Sequence, residues 1–295
     1  MNDRPADVAE VGAALAAHDY LADAALATSV FLALRLDRPL FLEGEAGVGK
    51  TEVAKVLGRW TGGEVIRLQC HEGIDAAQAV YEWDYGRQLL HLRTLEAAGR
   101  AESSDGLYDE RFLVRRPLLR ALMPGAGPRP VLLIDEIDRA DDEFEAFLLE
   151  ILSDWSVTVP ELGEIRAETP PIVVLTSNRT RDVHDALKRR CLYHWIDHPD
   201  PEREVEIILR RAPGAGAALA REVATLAARL RRLDLAKPPG VAETIAWAEA
   251  VVALGRPNLD APTVDATLGV VVKYREDQDL VRGHGVDELV RGTTS

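Results

Sequence analysis

The stretch that most constrains this chain is residues 40–51, Leu-Phe-Leu-Glu-Gly-Glu-Ala-Gly-Val-Gly-Lys-Thr, an apolar run that stops at a glycine-rich turn. Gly44, Gly49, Lys50 and Thr51 fit the spacing G-x-x-x-x-G-K-[ST]. Glycines let backbone N–H groups turn inward around an anion, the start of the next helix adds partial positive charge, and a lysine neutralises outer phosphate oxygens. Gly44, Glu45, Ala46, Gly47, Val48, Gly49, Lys50 and Thr51 are therefore candidate nucleotide-binding residues, with Thr51 also a candidate Mg²⁺ ligand. The plainer reading is a strand-to-helix turn that happens to be rich in glycine. Context favours the cradle, because residues 40–42 read as a short buried strand and residues 52–60 keep helical periodicity.

A second element bears on the same chemistry. Val131-Leu132-Leu133-Ile134-Asp135-Glu136 is a continuous aliphatic run closed by two acids, as expected of a central parallel strand buried on both faces. Asp135 at its C-terminal end would hold Mg²⁺ through water, and Glu136 would orient and polarise the water that attacks a γ-phosphate. The alternative is a buried strand that merely ends in solvated acids. Asp138, Asp141 and Asp142 read as a solvated cap for the following helix, which their charge suits. The next aliphatic run, residues 172–178, ends in Thr176-Ser177-Asn178. Asn178 is a candidate hydrogen-bond partner of the γ-phosphate or the attacking water, or else an amide that satisfies loop backbone. Lys188, Arg189 and Arg190 close a short helical segment as a solvated basic end, or as a group that reaches a neighbouring copy's site.

The rest of the chain supplies the frame. Residues 5–36 are alanine-rich with apolar spacing for one or two helices, and residues 65–68 read as a strand after Thr61-Gly62-Gly63. Residues 69–94 mix Cys70, His71 and Glu72 with Tyr81, Trp83 and Tyr85. Their spacing matches no standard metal motif, and the aromatics suit packing or an interaction ridge. Helices are expected over 89–99 and 111–123, a polar loop over 100–106, and a hairpin over 155–168. His198-Pro199-Asp200-Pro201 is the clearest linker. Beyond it the pattern is helical over 202–212, 217–233, 241–254 and 263–275, and roughly the last fifteen residues are expected to fray.

Composition narrows the partners. The 295 residues are 47% hydrophobic and 28% charged, with a formal net charge of −14, which argues against a broad basic face for nucleic acid. Two cysteines, Cys70 and Cys191, are too few and too scattered for a disulfide framework or zinc site. No signal peptide or membrane span is visible, so a cytoplasmic location and no membrane partner are expected.

Taken in order, the loop, the acidic strand end, the Thr-Ser-Asn strand, the Lys-Arg-Arg-Cys segment and the helical tail make the chain resemble an AAA+ ATPase, and more narrowly the MoxR family. Arg67-Leu68-Gln69-Cys70 and Tyr81-Glu82-Trp83 resemble the CoxD-type branch. The resemblance implies an α/β P-loop NTPase fold, a three-layer α/β/α core with a parallel sheet over residues 1–198, and a small all-helical lid over 199–295. It implies that Gly44 to Thr51 is the Walker A loop, that Asp135 and Glu136 close Walker B, that Asn178 is sensor 1, and that Arg190, or else Arg189, is an arginine finger. Members of the AAA+ superfamily often carry a sensor-2 arginine early in the third lid helix. Here Gly240-Val241-Ala242-Glu243-Thr244-Ile245 has none, so either lid coupling is weaker or Arg210 or Arg211 substitutes. The expected activity is ATP hydrolysis with ATP and Mg²⁺ in a ring-shaped homo-oligomer, a hexamer being the expected ring. The resemblance further implies chaperone-like remodelling of a metalloenzyme client, of carbon monoxide dehydrogenase type, with a von Willebrand A domain adaptor. A chelatase motor subunit, a DNA-acting relative and a non-hydrolysing scaffold are the other readings.

Overall fold

The computed structural model of the chain describes residues 4–97 and 106–292. The elements run α1 (Val8–Ala17), α2 (Ala24–Leu36), β1 (Leu40–Gly44), α3 (Lys50–Thr61), β2 (Val65–Gln69), α4 (Ala76–Val80), β3 (Tyr81–Trp83) and α5 (Tyr85–Ala97). They continue with β4 (Leu113–Arg115), α6 (Pro117–Leu122), β5 (Val131–Asp135), α7 (Asp142–Asp154), β6 (Ser156–Val159), β7 (Gly163–Arg166), β8 (Ile172–Ser177), α8 (Asp185–Arg190) and β9 (Leu192–Ile196). Six helices follow among the described residues: α9 (Pro201–Arg211), α10 (Ala217–Leu230), α11 (Val241–Ala253), α12 (Ala261–Val271), α13 (Arg275–His284) and α14 (Val286–Arg291).

Five strands form one sheet in the order β2-β5-β8-β1-β9. The aliphatic runs explain the centre of that order: β1, β5 and β8 are buried at every position, as strands covered on both faces must be. Their parallel registers align the strand ends, with Glu43 opposite Ser177 and Gln69 opposite Asp135. By contrast β2, at an edge, alternates, with Ile66 and Leu68 buried and Arg67 exposed. The fold is that of a P-loop NTPase of the AAA+ type: a parallel sheet with helices, followed by a helical region.

Two compact units are distinguished by their internal contacts. The first comprises Met1–Val11, Ala24–Glu43 and Val53–His194, and holds most of the sheet. Its core is built from Phe41, Leu132, Ile134 and Leu175 of the strands together with Leu118, Leu119, Leu148 and Ile151 of the helices. The second comprises Gly12–Asp23, Gly44–Glu52 and Trp195–Ser295, so the glycine-rich loop groups with the helices of the chain's C-terminal part. Its core includes Ile208, Leu219, Val223, Trp247, Leu268 and Val281. Trp247 is fully buried and its indole N–H donates to Thr267 Oγ1 at 2.7 Å, which meets the need of a buried polar tip. Glu204, also fully buried, is held by both terminal nitrogens of Arg231 at 2.7 Å.

The structure departs from the sequence expectations in three places. The helix expected over 111–123 is confined to α6. Pro117 starts it at a position where the missing N–H costs nothing, while Arg116 before it is extended, and residues 113–115 instead pair antiparallel with β3. This pairing also settles the aromatic segment. Trp83 is buried with Tyr81 and Tyr108 at its edges, whereas Tyr85 is exposed. The expected polar loop lies, except for Gly106, outside the described residues.

Second, Asp138 is not a solvated cap residue; only 2% of it is exposed. Its Oδ1 accepts the Asn178 N–H at 3.2 Å, and its Oδ2 accepts the Thr180 N–H at 2.9 Å and the Thr180 hydroxyl at 2.7 Å. The capping role falls to Asp141, whose carboxylate accepts the Phe144 N–H at 2.8 Å. Third, the chain's end does not fray where expected. Residues 281–291 lie mostly in α13 and α14, whose Val281 and Leu289 enter the core of the second unit. Buried Asp277 accepts the Ala236 and Lys237 N–H groups at 2.8 and 3.1 Å.

Two outcomes follow from this packing. Leu289→Ala is expected to lower stability by about 2–5 kcal/mol, the range for truncating a buried leucine, read as a lower urea midpoint. An unchanged midpoint would show that α14 adds nothing to the helical core. Asp138→Ala removes the buried acceptor of three hydrogen bonds whose donors are partly open to water, and is expected to cost about 1–3 kcal/mol by the same measurement; a shift below the error of the titration would overturn its role as a hub.

Candidate functional site

The loop after β1 is shaped by backbone requirements. Gly47 and Gly49 hold φ of 81° and 95°, a region that side chains rarely adopt. Gly44 could not carry a side chain either, since a Cβ there would lie 2.4 Å from the Ile196 carbonyl oxygen. Lys50, buried at the start of α3, donates from Nζ to the carbonyls of Gly44 at 2.7 Å and Glu45 at 2.6 Å. Its ammonium is thereby folded over the loop, beside the helix start that carries partial positive charge. Thr51 is in the first turn of α3, and Val48 is buried.

The second unit also shows what stands where an arginine was lacking. The N-terminus of α11 packs on the loop, with the Ala242 N–H donating to the Gly47 carbonyl at 3.3 Å. Glu243 Oε2 accepts the Gly240 N–H at 3.1 Å, and a Cβ on Gly47 would meet that same oxygen at 2.8 Å. Of the two substitute arginines considered, Arg211 reaches Glu52 in the first turn of α3 at 3.4 Å, whereas Arg210 donates to the Ala16 carbonyl at 2.9 Å. His198 Nε2 lies 3.0 Å from Glu45 Oε2.

The acidic strand end belongs to the first unit. Asp135 is buried, and both its carboxylate oxygens are held. Thr176 donates its hydroxyl to Oδ1 at 2.6 Å, and Arg67 donates from Nε to Oδ2 at 2.9 Å and also from Nη2. Glu136 then turns out of the strand with φ 56° and ψ 50°, a left-handed conformation that costs a non-glycine residue about 1–2 kcal/mol. Hydrogen bonds fix it there: its N–H donates to Thr176 Oγ1 at 3.0 Å, and its Oε2 accepts from Gln69 Nε2 at 2.9 Å and Arg139 Nη1 at 3.3 Å. Arg67 and Gln69, two apart on β2 and bonded to each other, thus each hold one acid. Cys70 beyond them is buried, and its thiol is pushed up to about 12, first by burial and then by the Asp135 charge, so it is a neutral core group.

Asn178 follows β8, its backbone held by Asp138. Glu136 and Asn178 line one open cleft of about 710 Å³ together with Glu72, Asp138 and Arg139. The basic cluster on α8 divides. Lys188 turns inward and stands 3.6 Å from Glu43, whereas Arg189 and Arg190 are exposed and their guanidinium groups have no partner among the described residues. Arg38 instead donates to the carbonyls of Arg189 at 2.8 Å and Arg190 at 3.2 Å.

Four residues at this site were not picked out from the sequence: Arg67, Gln69, Thr176 and Asp138. The alternation of β2 carried a signal for the first two, because polar residues at positions 67 and 69 share a face between buried Ile66 and Leu68. Nothing comparable marked Asp138, which looks like any other acid ahead of a helix.

The AAA domain family, dynein-related subfamily, matches residues 39–191, more than half of the chain. Protein CbbQ of Hydrogenophilus thermoluteolus is 25% identical over 255 residues, covering 82% of this chain and 83% of that one. An uncharacterized protein of Staphylococcus saprophyticus is 23% identical over 186 residues, covering 61% of this chain and 63% of its own, so the chain spans under two thirds of that relative. Among solved structures, a point mutant of Thermotoga maritima RuvB superposes with a TM-score of 0.50 at 17% identity, over 91% of this chain and 73% of that one, a likeness of fold alone. Among the described residues no helix is long and apolar enough to cross a membrane. By the family match over residues 39–191, this chain belongs to the AAA domain family, in its dynein-related subfamily.

Proposed function

We propose that the protein is an ATP hydrolase of MoxR type that works as a ring of identical subunits and remodels a protein client. The observation that carries the hydrolytic reading is Glu136, an acid held in a left-handed turn by Gln69 and Thr176 and sharing a cleft with Asn178. Strain of this kind persists where surrounding bonds over-determine it, and it is concentrated at working sites.

The residues present fit a magnesium nucleotide. Two loop glycines at positive φ and a buried lysine suit phosphate oxygens, and Thr51 and Asp135 are hard oxygen donors. Bound Mg²⁺ would supply charge that neutralises and orients those oxygens; by the sequence motifs Thr51 is its candidate ligand in the second unit and Asp135, through water, in the first. Gly44 to Gly49 would cradle the phosphates with backbone N–H groups, and Lys50 would exchange its loop carbonyls for phosphate oxygens. Arg67 and Thr176 fix the orientation of Asp135. Glu136 would accept a hydrogen bond from the attacking water and align it, and Asn178 would hold the same water or the terminal oxygen.

Arg190, with Arg189 as second choice, is exposed and unpaired among the described residues, which suits a group that acts on a neighbouring copy's site. The lid is read as residues 199–295, following the linker whose Asp200 caps α9 and whose Pro201 starts it. A metalloenzyme client, of carbon monoxide dehydrogenase type, and a von Willebrand A domain adaptor rest on the MoxR and CoxD-type sequence resemblance. The similarity to CbbQ extends well beyond the matched core, over 255 residues, and so supports a relative of similar layout.

Glu136→Gln is expected to leave ATP binding unchanged and to lower turnover by about 10²–10⁴, the range for removing a positioned base. Fluorescent-nucleotide titration and steady-state phosphate release measure the two, and retained turnover would remove Glu136 from the role. The same variant held in ATP should retain client and adaptor in a pull-down. Arg190→Ala is expected to slow turnover only under conditions where copies assemble; equal loss in monomer and oligomer would count against action on a neighbour.

A further inference from the structure

Glu43 is a buried carboxylate, one residue ahead of Gly44, that none of the roles above uses. A charge taken out of water needs partners, and Glu43 finds three on three different elements. Oε2 accepts the Tyr193 hydroxyl of β9 at 2.9 Å, Oε1 accepts the Ser177 hydroxyl of β8 at 3.3 Å, and Lys188 Nζ of α8 lies 3.6 Å from Oε1. The Tyr193 phenol is pushed up to about 12 by burial and then by Glu43, so it keeps its proton and donates. The Lys188 ammonium also stands 5.8 Å from the Phe41 ring, which Tyr193 stacks against at 5.9 Å.

These contacts meet at a junction. By chain, Glu43 adjoins the phosphate loop; by register it faces Ser177, the residue before Asn178. Through Lys188 it holds α8, a helix of six residues, too short to keep its own orientation. Other anchors of α8 include buried Leu187, the Glu145 carboxylate of α7 that accepts the N–H of its N-cap His184, and the bonds from Arg38 to the last carbonyls. Lys188 is the charged link from α8 to the strand that feeds the loop, and the next two residues are Arg189 and Arg190.

We propose that Glu43 is a positioning residue that holds α8 through Lys188, so that Arg189 and Arg190 are presented to the neighbouring copy in a direction set by the strand ahead of the phosphate loop. This rests on the reading of those arginines given above. Glu43→Gln is then a defect in what a subunit offers its neighbour, while its own loop, Asp135 and Glu136 stay intact.

Mixed assemblies test this directly. Glu43→Gln alone is expected to lower turnover between about tenfold and a hundredfold, as a misplaced group does, with nucleotide affinity within about twofold of the parent. Mixed with Glu136→Gln subunits, which cannot hydrolyse but carry an intact α8, it should turn over faster than the sum of the two proteins assayed separately. Lys188→Met, at a partly exposed side chain, should behave likewise and carries the same test if Glu43→Gln does not fold. The double variant should be no slower than the slower single, since both remove one link. The control is the Arg189→Ala, Arg190→Ala double variant mixed with Glu136→Gln. Gain in the control but not with Glu43→Gln or Lys188→Met would overturn the positioning role and leave the arginine reading standing. No gain in any mixture would overturn both.

Discussion

A carboxylate at the end of a strand buried on both faces cannot be left to water, and the arrangement around Asp135 follows from that constraint. Its two oxygens are met by Thr176 from one neighbouring strand and Arg67 from the other, so β2, β5 and β8 are tied by side chains as well as by their ladders. Thr176 then serves twice, giving its proton to Asp135 and accepting the Glu136 N–H. That second bond supports the left-handed turn at Glu136, and Gln69 completes it. Removing the demand at Asp135 would leave no reason for a threonine at 176 or an arginine at an otherwise solvent-facing position of an edge strand. The orientation of the catalytic candidate is thus a consequence of satisfying the acid before it.

One turn further, the same economy of buried acids recurs. Asp138 ties the turn after β5 to the backbone of Asn178 and to Thr180, which fixes where Asn178 stands relative to Glu136. Glu145 in α7, also buried, accepts the His184 N–H at 2.7 Å and an Arg181 nitrogen, and so holds the approach to α8. Glu43 holds α8 from the other side through Lys188. Three buried carboxylates therefore position the groups that line or adjoin the cleft, each with partners on a different element. Apolar packing alone would specify these positions less uniquely, because it has no preferred donor geometry.

Much of this was legible in the chain, and the failures share a cause. The strands β1, β5 and β8 were readable because continuous aliphatic runs of that length demand two-sided burial, and the loop was readable because glycines and a lysine at fixed spacing serve few other purposes. The hairpin β6–β7 followed from alternation. What escaped was burial of charge. Asp138 and Glu43 look like surface residues to any rule based on side-chain polarity, and only the fold shows which acids have donors waiting. The β4 strand escaped because three residues are too few to show a period, and the helix was extended upstream past the start that Pro117 marks. Helices α13 and α14 escaped because their sequences are mostly polar and anchor through a few residues, Asp277, Val281 and Leu289, spaced across a glycine at 285.

The helix start at Gly240 bears on how α11 can follow the glycine-rich loop without an arginine at that place. Gly240 packs so closely on the loop that a Cβ would stand 2.7 Å from both the Ala46 carbonyl oxygen and Gly47 Cα. With Ala242 donating to the Gly47 carbonyl, the contact is backbone on backbone. A long cationic side chain senses charge and yields when its partner leaves, whereas a contact of this kind senses the path of the loop itself. A shift of the loop by a fraction of an ångström would press on the first turn of α11 or break its bond, because Gly240 and Ala242 meet the loop through backbone atoms. Glu243, bonded to the Gly240 N–H, places a carboxylate at the same contact. The loop and α11 are therefore coupled by the shape of two backbones with a carboxylate beside them, where an arginine would couple them through a long cationic side chain.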